Sequence, residues 1–186
     1  MSKGITIHPT RIADIFLLDS QIYCDERGTF METYQQVKLA EIGITFPFVQ
    51  DNHSGSHQGV LRGLHYQIRQ PQGKLVRVVS GEVYDVAVDL RRCSATFGQW
   101  VGTSLSAQNR QQIWIPPGFA HGFYVLSEWA EVLYKTTDYY APQWERTLLW
   151  NDPQLDIAWP LLSDKPLLVS PKDAEGQLLS SAELFD

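Results

Sequence analysis

The chain has 186 residues, 44% hydrophobic and 19% charged, the composition of a soluble globular protein with room for one sizeable core. Its net charge of −6 argues against a nucleic-acid backbone as a general partner. No stretch approaches the roughly 18 apolar residues that a membrane span needs. In chain order, the opening "MSKGITIHPTRIADIF" holds no apolar run of signal-peptide length. "DERGTFMET" reads as a charged hairpin turning at Gly28, and "YQQVKLAEIGI" carries a helical signal. Eight short β-rich runs follow: "PFVQDNHS", "VLRGLHYQI", "KLVRVVSG", "EVYDVAVDL", "QWVGTSLS", "QQIWIP", "HGFYVLS" and "EVLYKTTDYY". Within "EVYDVAVDL", Tyr84, Val86, Val88 and Leu90 alternate with Asp85 and Asp89, a period of two. In "SPKD", Ser170 fits a helix N-cap, Pro171 the first helical position and Asp173 the capping turn, so the tail is expected to be helical.

No repeat, low-complexity tract or linker divides the chain, so one domain over residues 1–186 is expected. Many short strands between Gly- and Pro-marked turns predict an all-β sandwich, jelly roll or barrel whose mouth suits a small molecule. Cys24 and Cys93 lie far apart and outside metal-type spacing. They predict two reduced, buried thiols and a cytoplasmic protein.

Two stretches carry chemistry. "IPPGFAHGF" fits a tight turn feeding a strand with a half-buried histidine. Read from Pro116 to His121 it is also P-x-G-x-x-H, the second half of the cupin signature. The first half is expected upstream, in "GLHYQIRQPQGKLVRVVSGEV", as two histidines one residue apart and a glutamate. His65 stands at the first position, whereas Tyr66 and Gln67 supply no second histidine. About three N or O donors are normal for a divalent metal site. A cupin without metal is therefore predicted. The other stretch, "GVLRGLHYQ", places Arg62 and His65 in a strand that alternation would split between two faces. Gly63 between them offers a place for a bulge that brings both to one side. With Lys74 in "QGK" and Tyr134, they form a set suited to proton abstraction beside a carbonyl: a base, an oxyanion stabiliser and an acid. Taken singly, Arg62 and Lys74 fit surface charges, Tyr134 a core-edge aromatic and His65 a hydrogen-bonded core residue.

"DERGTFMETY", "FVQDNHS", "GVLRGLHYQ", "QGKLVRVVSGEVYDVAVDLRR", "PPGFAHGF", "VLYKTTDYY" and "WNDP", in this order from Asp25 to Asp152, resemble dTDP-4-dehydrorhamnose 3,5-epimerases. "SPKDAEGQLL" is similar to that family's C-terminal segment, whereas "APQWERTLL" departs from its usual pattern. The resemblance implies a cupin-type jelly roll, a homodimer with neither metal nor other cofactor. It implies conversion of dTDP-4-dehydro-6-deoxy-D-glucose to dTDP-4-dehydro-L-rhamnose in dTDP-L-rhamnose biosynthesis. By the same resemblance, His65 is the base, Asp173 its carboxylate partner, Lys74 faces the enolate oxygen and Tyr134 is the acid on the opposite face of the sugar. Arg62 and His121 line that pocket. Arg27 contacts the diphosphate, and Glu32, Gln50, Asp51 and Asn52 the base, sugar or linking groups. Phe30 stacks on thymine, and Glu145 and Lys172 match further ligand-contacting positions. Three alternatives stay open: an epimerase or ketoisomerase acting at one carbon, a sugar-nucleotide-binding cupin without catalysis, and a metal-dependent cupin oxygenase, which needs ligands absent here.

Overall fold

The computed structural model describes residues 4–186. All eight β-rich runs form strands: β5 (Gln50–His57), β6 (Val60–Gln67), β7 (Lys74–Ser80), β8 (Glu82–Asp89), β9 (Trp100–Ser106), β10 (Gln112–Ile115), β11 (Phe119–Val125) and β12 (Trp129–Thr136). Before them come β1 (Ile5–Pro9), β2 (Phe16–Ser20), the hairpin β3 (Ile22–Asp25) and β4 (Gly28–Met31), and helix α1 (Gln36–Glu41). After them come β13 (Glu145–Thr147), β14 (Leu168–Val169) and α2 (Pro171–Ala174). The expected helical tail is thus corrected to one four-residue turn of helix. Beyond it Gln177 bridges to Leu148 and Phe185 to Arg91, so backbone bonds to strand ends replace helical ones.

Two sheets face each other as a cupin-type jelly roll. The first runs β1-β2-β10-β7-β12-β5, and the second runs β13-β6-β11-β8-β9 with β14 on β6. Between them lies an apolar interior that includes Val76, Val78, Val83, Ala87, Ile113, Phe119, Phe123, Val125 and Val132. Each valine, isoleucine or phenylalanine among them contributes about 1.5–3 kcal/mol when fully buried. The outer faces are covered too. Leu39 of α1 and Ile44 pack on Leu18, Leu75 and Trp114 of the first sheet. Leu155, Leu179 and Ala182 pack on Val86, Val88 and Leu90 of the second.

That second cover changes the meaning of the alternation in β8. Tyr84, Val86, Val88 and Leu90 do share a face, but it is the outer one, under the C-terminal segment. Asp85 and Asp89 sit on the interior side, both 0% exposed. Asp89 is satisfied at the strand end by Arg91, Ser94 and Thr96. Both cysteines are unpaired, as expected, but exposed rather than buried. Cys24 lies on β3, whose hairpin has no sheet over it, and Cys93 in the turn after β8.

Candidate active site

Pairing between β6 and β11 sets Arg62 opposite Phe123 and His65 opposite His121, so β6 carries one residue more than its partner over this span. Gly63 takes up the surplus at φ +111°, where a Cβ would stand 2.6 Å from the Cα of Gly122. Only glycine permits both the left-handed φ and that backbone approach. The bulge overrides alternation, and Arg62 and His65 come to line one groove with Asp173.

His65 Nε2 and Asp173 Oδ1 lie 2.5 Å apart, with Asp173 only 3% exposed. The capping reading of Asp173 holds simultaneously. Its backbone N–H donates to Ser170 Oγ at 3.1 Å, while the side chain turns inward and accepts from the Gly63 N–H at 3.3 Å. Burial alone pushes the Asp173 carboxyl up, but the hydrogen bond and charge of His65, with the Gly63 and Ser170 contacts, hold it below the usual carboxylate range. A carboxylate at Nε2 fixes the imidazole proton there and leaves Nδ1 as the basic nitrogen.

A cavity of about 270 Å³ opens between the sheets, lined by His65, Lys74, Tyr134, Gln50, Asn52, Gln72, Tyr140 and Glu145, among others. His65 comes from the second sheet, and Lys74 and Tyr134 from the first. Lys74 is buried at the start of β7, with Nζ 3.4 Å from the His65 carbonyl oxygen. Burial pulls its ammonium down to about 8, against the carboxylates of Asp85 and Glu145. Burial also pushes the Tyr134 phenol up, against the nearby Arg62 charge, so it stays protonated at neutral pH.

Around the mouth, Glu145 pairs with Lys172 at 2.5 Å and accepts from the Tyr140 hydroxyl at 2.8 Å. Arg62 does not line this cavity but the groove with Asp173, where its Nε donates to Ser56 Oγ at 2.9 Å. Gln50 Nε2 donates to Asn52 Oδ1, and Gln50 Oε1 accepts from the Tyr140 N–H, both at 2.9 Å. His121 stands beside His65 on the adjacent strand, buried and hydrogen-bonded through Nε2 to Asp85 Oδ2 at 2.8 Å.

Four expected ligand contacts lie elsewhere. Asp51 turns to the other side of β5 from Gln50 and Asn52 and accepts from Lys135 Nζ at 2.6 Å. Arg27 lies at the tip of the β3–β4 hairpin, paired with Asp25 at 2.5 Å. Phe30 is 70% exposed on that hairpin, and Glu32 pairs with Lys38 at 2.7 Å. None of these four lines the cavity around His65.

Two residues of the site had not been singled out from the sequence. Tyr140 lies in an aromatic-rich strand end, and Asp85 is one of two acidic residues in a period-of-two run, with nothing local to mark either. Among the described residues, no three His, Cys, Asp or Glu side chains gather to hold a metal ion. Where the cupin signature calls for a further histidine, the Tyr66 hydroxyl donates to the Glu183 carbonyl at 2.6 Å. Gln67 is occupied by the Ala141 N–H and the Gln70 carbonyl. The donor set does not fit a metal.

Known proteins give the same picture. The family model described as dTDP-4-dehydrorhamnose 3,5-epimerase matches residues 9–181. The chain is 60% identical to the dTDP-4-dehydrorhamnose 3,5-epimerase of Pseudomonas aeruginosa, over 95% of this chain and 98% of that protein. Its fold is similar to the crystal structure of a Legionella pneumophila 3,5-epimerase in complex with dTDP-4-keto-L-rhamnose, with TM-score 0.93, 54% identity and coverage of 96% of this chain and 95% of that one. A Streptomyces bikiniensis 3'-monoepimerase solved with dTDP-quinovose is also similar, with TM-score 0.85, 34% identity and coverage of 94% and 88%. With its matched length, its fold and its coverage of close relatives in agreement, the chain belongs to the dTDP-4-dehydrorhamnose 3,5-epimerase family.

Proposed function

We propose that the chain inverts C3 and C5 of dTDP-4-dehydro-6-deoxy-D-glucose to give dTDP-4-dehydro-L-rhamnose for dTDP-L-rhamnose synthesis. One observation carries the chemistry: a carboxylate-backed imidazole and a protonated phenol enter one cavity from opposing sheets. Nδ1 of His65 removes the proton from a carbon flanking the C4 ketone, and the electron pair moves into the enolate. Lys74, as an ammonium, stabilises the oxygen that becomes negative, in a buried setting where such a contact is strong. Tyr134 returns a proton to the same carbon from the other face. The product is the inverted centre, with no change of oxidation state. Asp173 stabilises the imidazolium between the two transfers. Repetition at the second flanking carbon completes the reaction.

The nearby 3'-monoepimerase fold makes single inversion the second reading. Proton NMR of the wild-type reaction in deuterated water decides between them. Solvent deuterium is expected at both C3 and C5. Label at one carbon demotes the double epimerase, and absence of label at both carbons sinks both readings.

The nucleotide half of the site is proposed to be shared between two copies of the chain. Arg27, Phe30 and Glu32 lie on or beside an exposed hairpin outside their own cavity, although the resemblance assigns them to the ligand. The edge of β5 is open for a neighbour. A homodimer in which each hairpin reaches its partner's cavity reconciles these placements. Arg27→Ala is expected to weaken dTDP binding by about 10–100-fold, the worth of a charge-assisted contact of about 1.5–3 kcal/mol. Mixing Arg27→Ala chains with His65→Asn chains is expected to restore turnover at low substrate, because the mixed dimer holds one intact site. No restoration on exchange of subunits places Arg27 in its own chain's site and removes the proposal. The two exposed, unpaired cysteines support a reducing compartment such as the cytoplasm. No helix among the described residues is long and apolar enough to cross a membrane.

A further inference from the structure

A second histidine–carboxylate pair lies deeper than the first. Asp85 and His121 are diagonal neighbours on β8 and β11, on the interior face between Val83, Ala87, Phe119 and Phe123. Asp85 is 0% exposed and His121 6% exposed. Oδ2 of Asp85 holds His121 Nε2 at 2.8 Å, but Oδ1 has no hydrogen-bond partner among the described residues. A buried carboxylate oxygen without a partner is costly and calls for a reason.

The surroundings of Lys74 supply one. Its titratable and charged neighbours are His65 on β6, His121 on β11, Asp85 on β8, Glu145 on β13 and Tyr134 on β12. Only two of these are carboxylates, and Glu145 is already held by Lys172 and Tyr140. Asp85 is left as the buried anion whose charge has no other cation to serve.

We propose that Asp85 is a positioning residue for the epimerisation, holding His121 in one tautomer and supplying the counter-charge that keeps Lys74 an ammonium. The inference rests on the epimerase reading for its catalytic meaning. With Asp85 ionised, His121 donates from Nε2 and presents Nδ1 as an acceptor. Burial keeps that imidazole neutral by pulling its pKa down, so it adds no positive charge beside Lys74. The Asp85 charge offsets part of the desolvation that drags Lys74 to about 8.

Two readouts need no substrate. In the wild-type protein, 15N NMR is expected to find His121 neutral with its proton on Nε2, and the Lys74 side chain is expected to titrate near 8. A His121 proton found on Nδ1 overturns the proposal even if every Asp85 variant fails to fold. In kinetics, turnover that needs the ammonium falls as pH rises through about 8. Asp85→Asn is isosteric and uncharged, and is expected to move that limb down by about one pH unit or more. It should also switch the His121 proton to Nδ1, as an amide in place of a carboxylate does in a catalytic triad. Asp85→Glu keeps the charge and is expected to keep the limb. A purely structural Asp85 lowers the thermal midpoint but leaves the limb in place, and that result sinks the proposal. Failure of the wild type to exchange protons at C3 and C5 removes the epimerase reading instead, and leaves the two substrate-free readouts standing.

Discussion

Replacing His65 by asparagine is expected to lower turnover by about 10²–10⁴-fold, the range for a lost general base. The cavity side chains from β5 and from the segment around Tyr140 and Glu145, where the proposed function places the nucleotide, do not bond to His65. Binding of dTDP is therefore expected to survive. Asparagine is too short to replace Nε2, but Asp173 keeps the Gly63 N–H as a partner, so the bulge at Gly63 is not disturbed. A single measurement of kcat and of dTDP affinity in the variant tests the division of labour. Poor dTDP binding with normal turnover at saturation reverses the assignment of His65 from base to binding group.

The strands were legible because their signals are local. β-branched and aromatic residues between Gly and Pro turns mark β6 to β12 whatever the rest of the chain does. The tail misled for a related reason. Ser170, Pro171 and Asp173 are sound capping chemistry, and a turn of helix does form there. What ended it was not local: the backbone of residues after 176 gains more from bridging to Leu148 and Arg91 and from covering Leu90 and Val88 than from helix propagation. The alternation in β8 likewise defines two faces but not which of them turns inward. Nothing in those nine residues says that a C-terminal segment will cover the apolar side.

The site divides along the same line. His65, Lys74 and Tyr134 could be grouped by chemistry, and Gly63 pointed to the bulge that aims Arg62 and His65 together. Asp173 had to be carried over by resemblance, because 108 residues separate it from the histidine it supports. Asp85 carries no local mark, because a period of two does not say which face is covered. In a strand covered on both faces a buried aspartate needs a partner, here His121. Arg27, Phe30 and Glu32 show the opposite limit. They were carried over by resemblance, and the chain holds them on or beside an exposed hairpin outside its own cavity.

Removal of the Tyr134 hydroxyl is expected to separate two events that the wild type couples. Tyr134 stands on the first sheet and His65 on the second, so a sugar enolate held between them meets a proton carrier on each face. Forming the enolate needs His65 and Lys74 and does not need a phenol. Tyr134→Phe keeps the ring that packs against the interior cluster and removes only the donor. Burial holds the wild-type phenol protonated, so the loss is that of an acid and not of a charge. The variant is expected to go on exchanging protons beside the ketone with solvent, because His65 returns label to the face it came from. Formation of the L-configured product is expected to fall by the about 10²–10⁴-fold typical of a lost general acid, far more than exchange does. Deuterium wash-in and product formation can be followed in one NMR experiment. If both fall by the same factor, the inverting proton does not come from Tyr134, and Tyr140 at the mouth of the same cavity becomes the next donor to test.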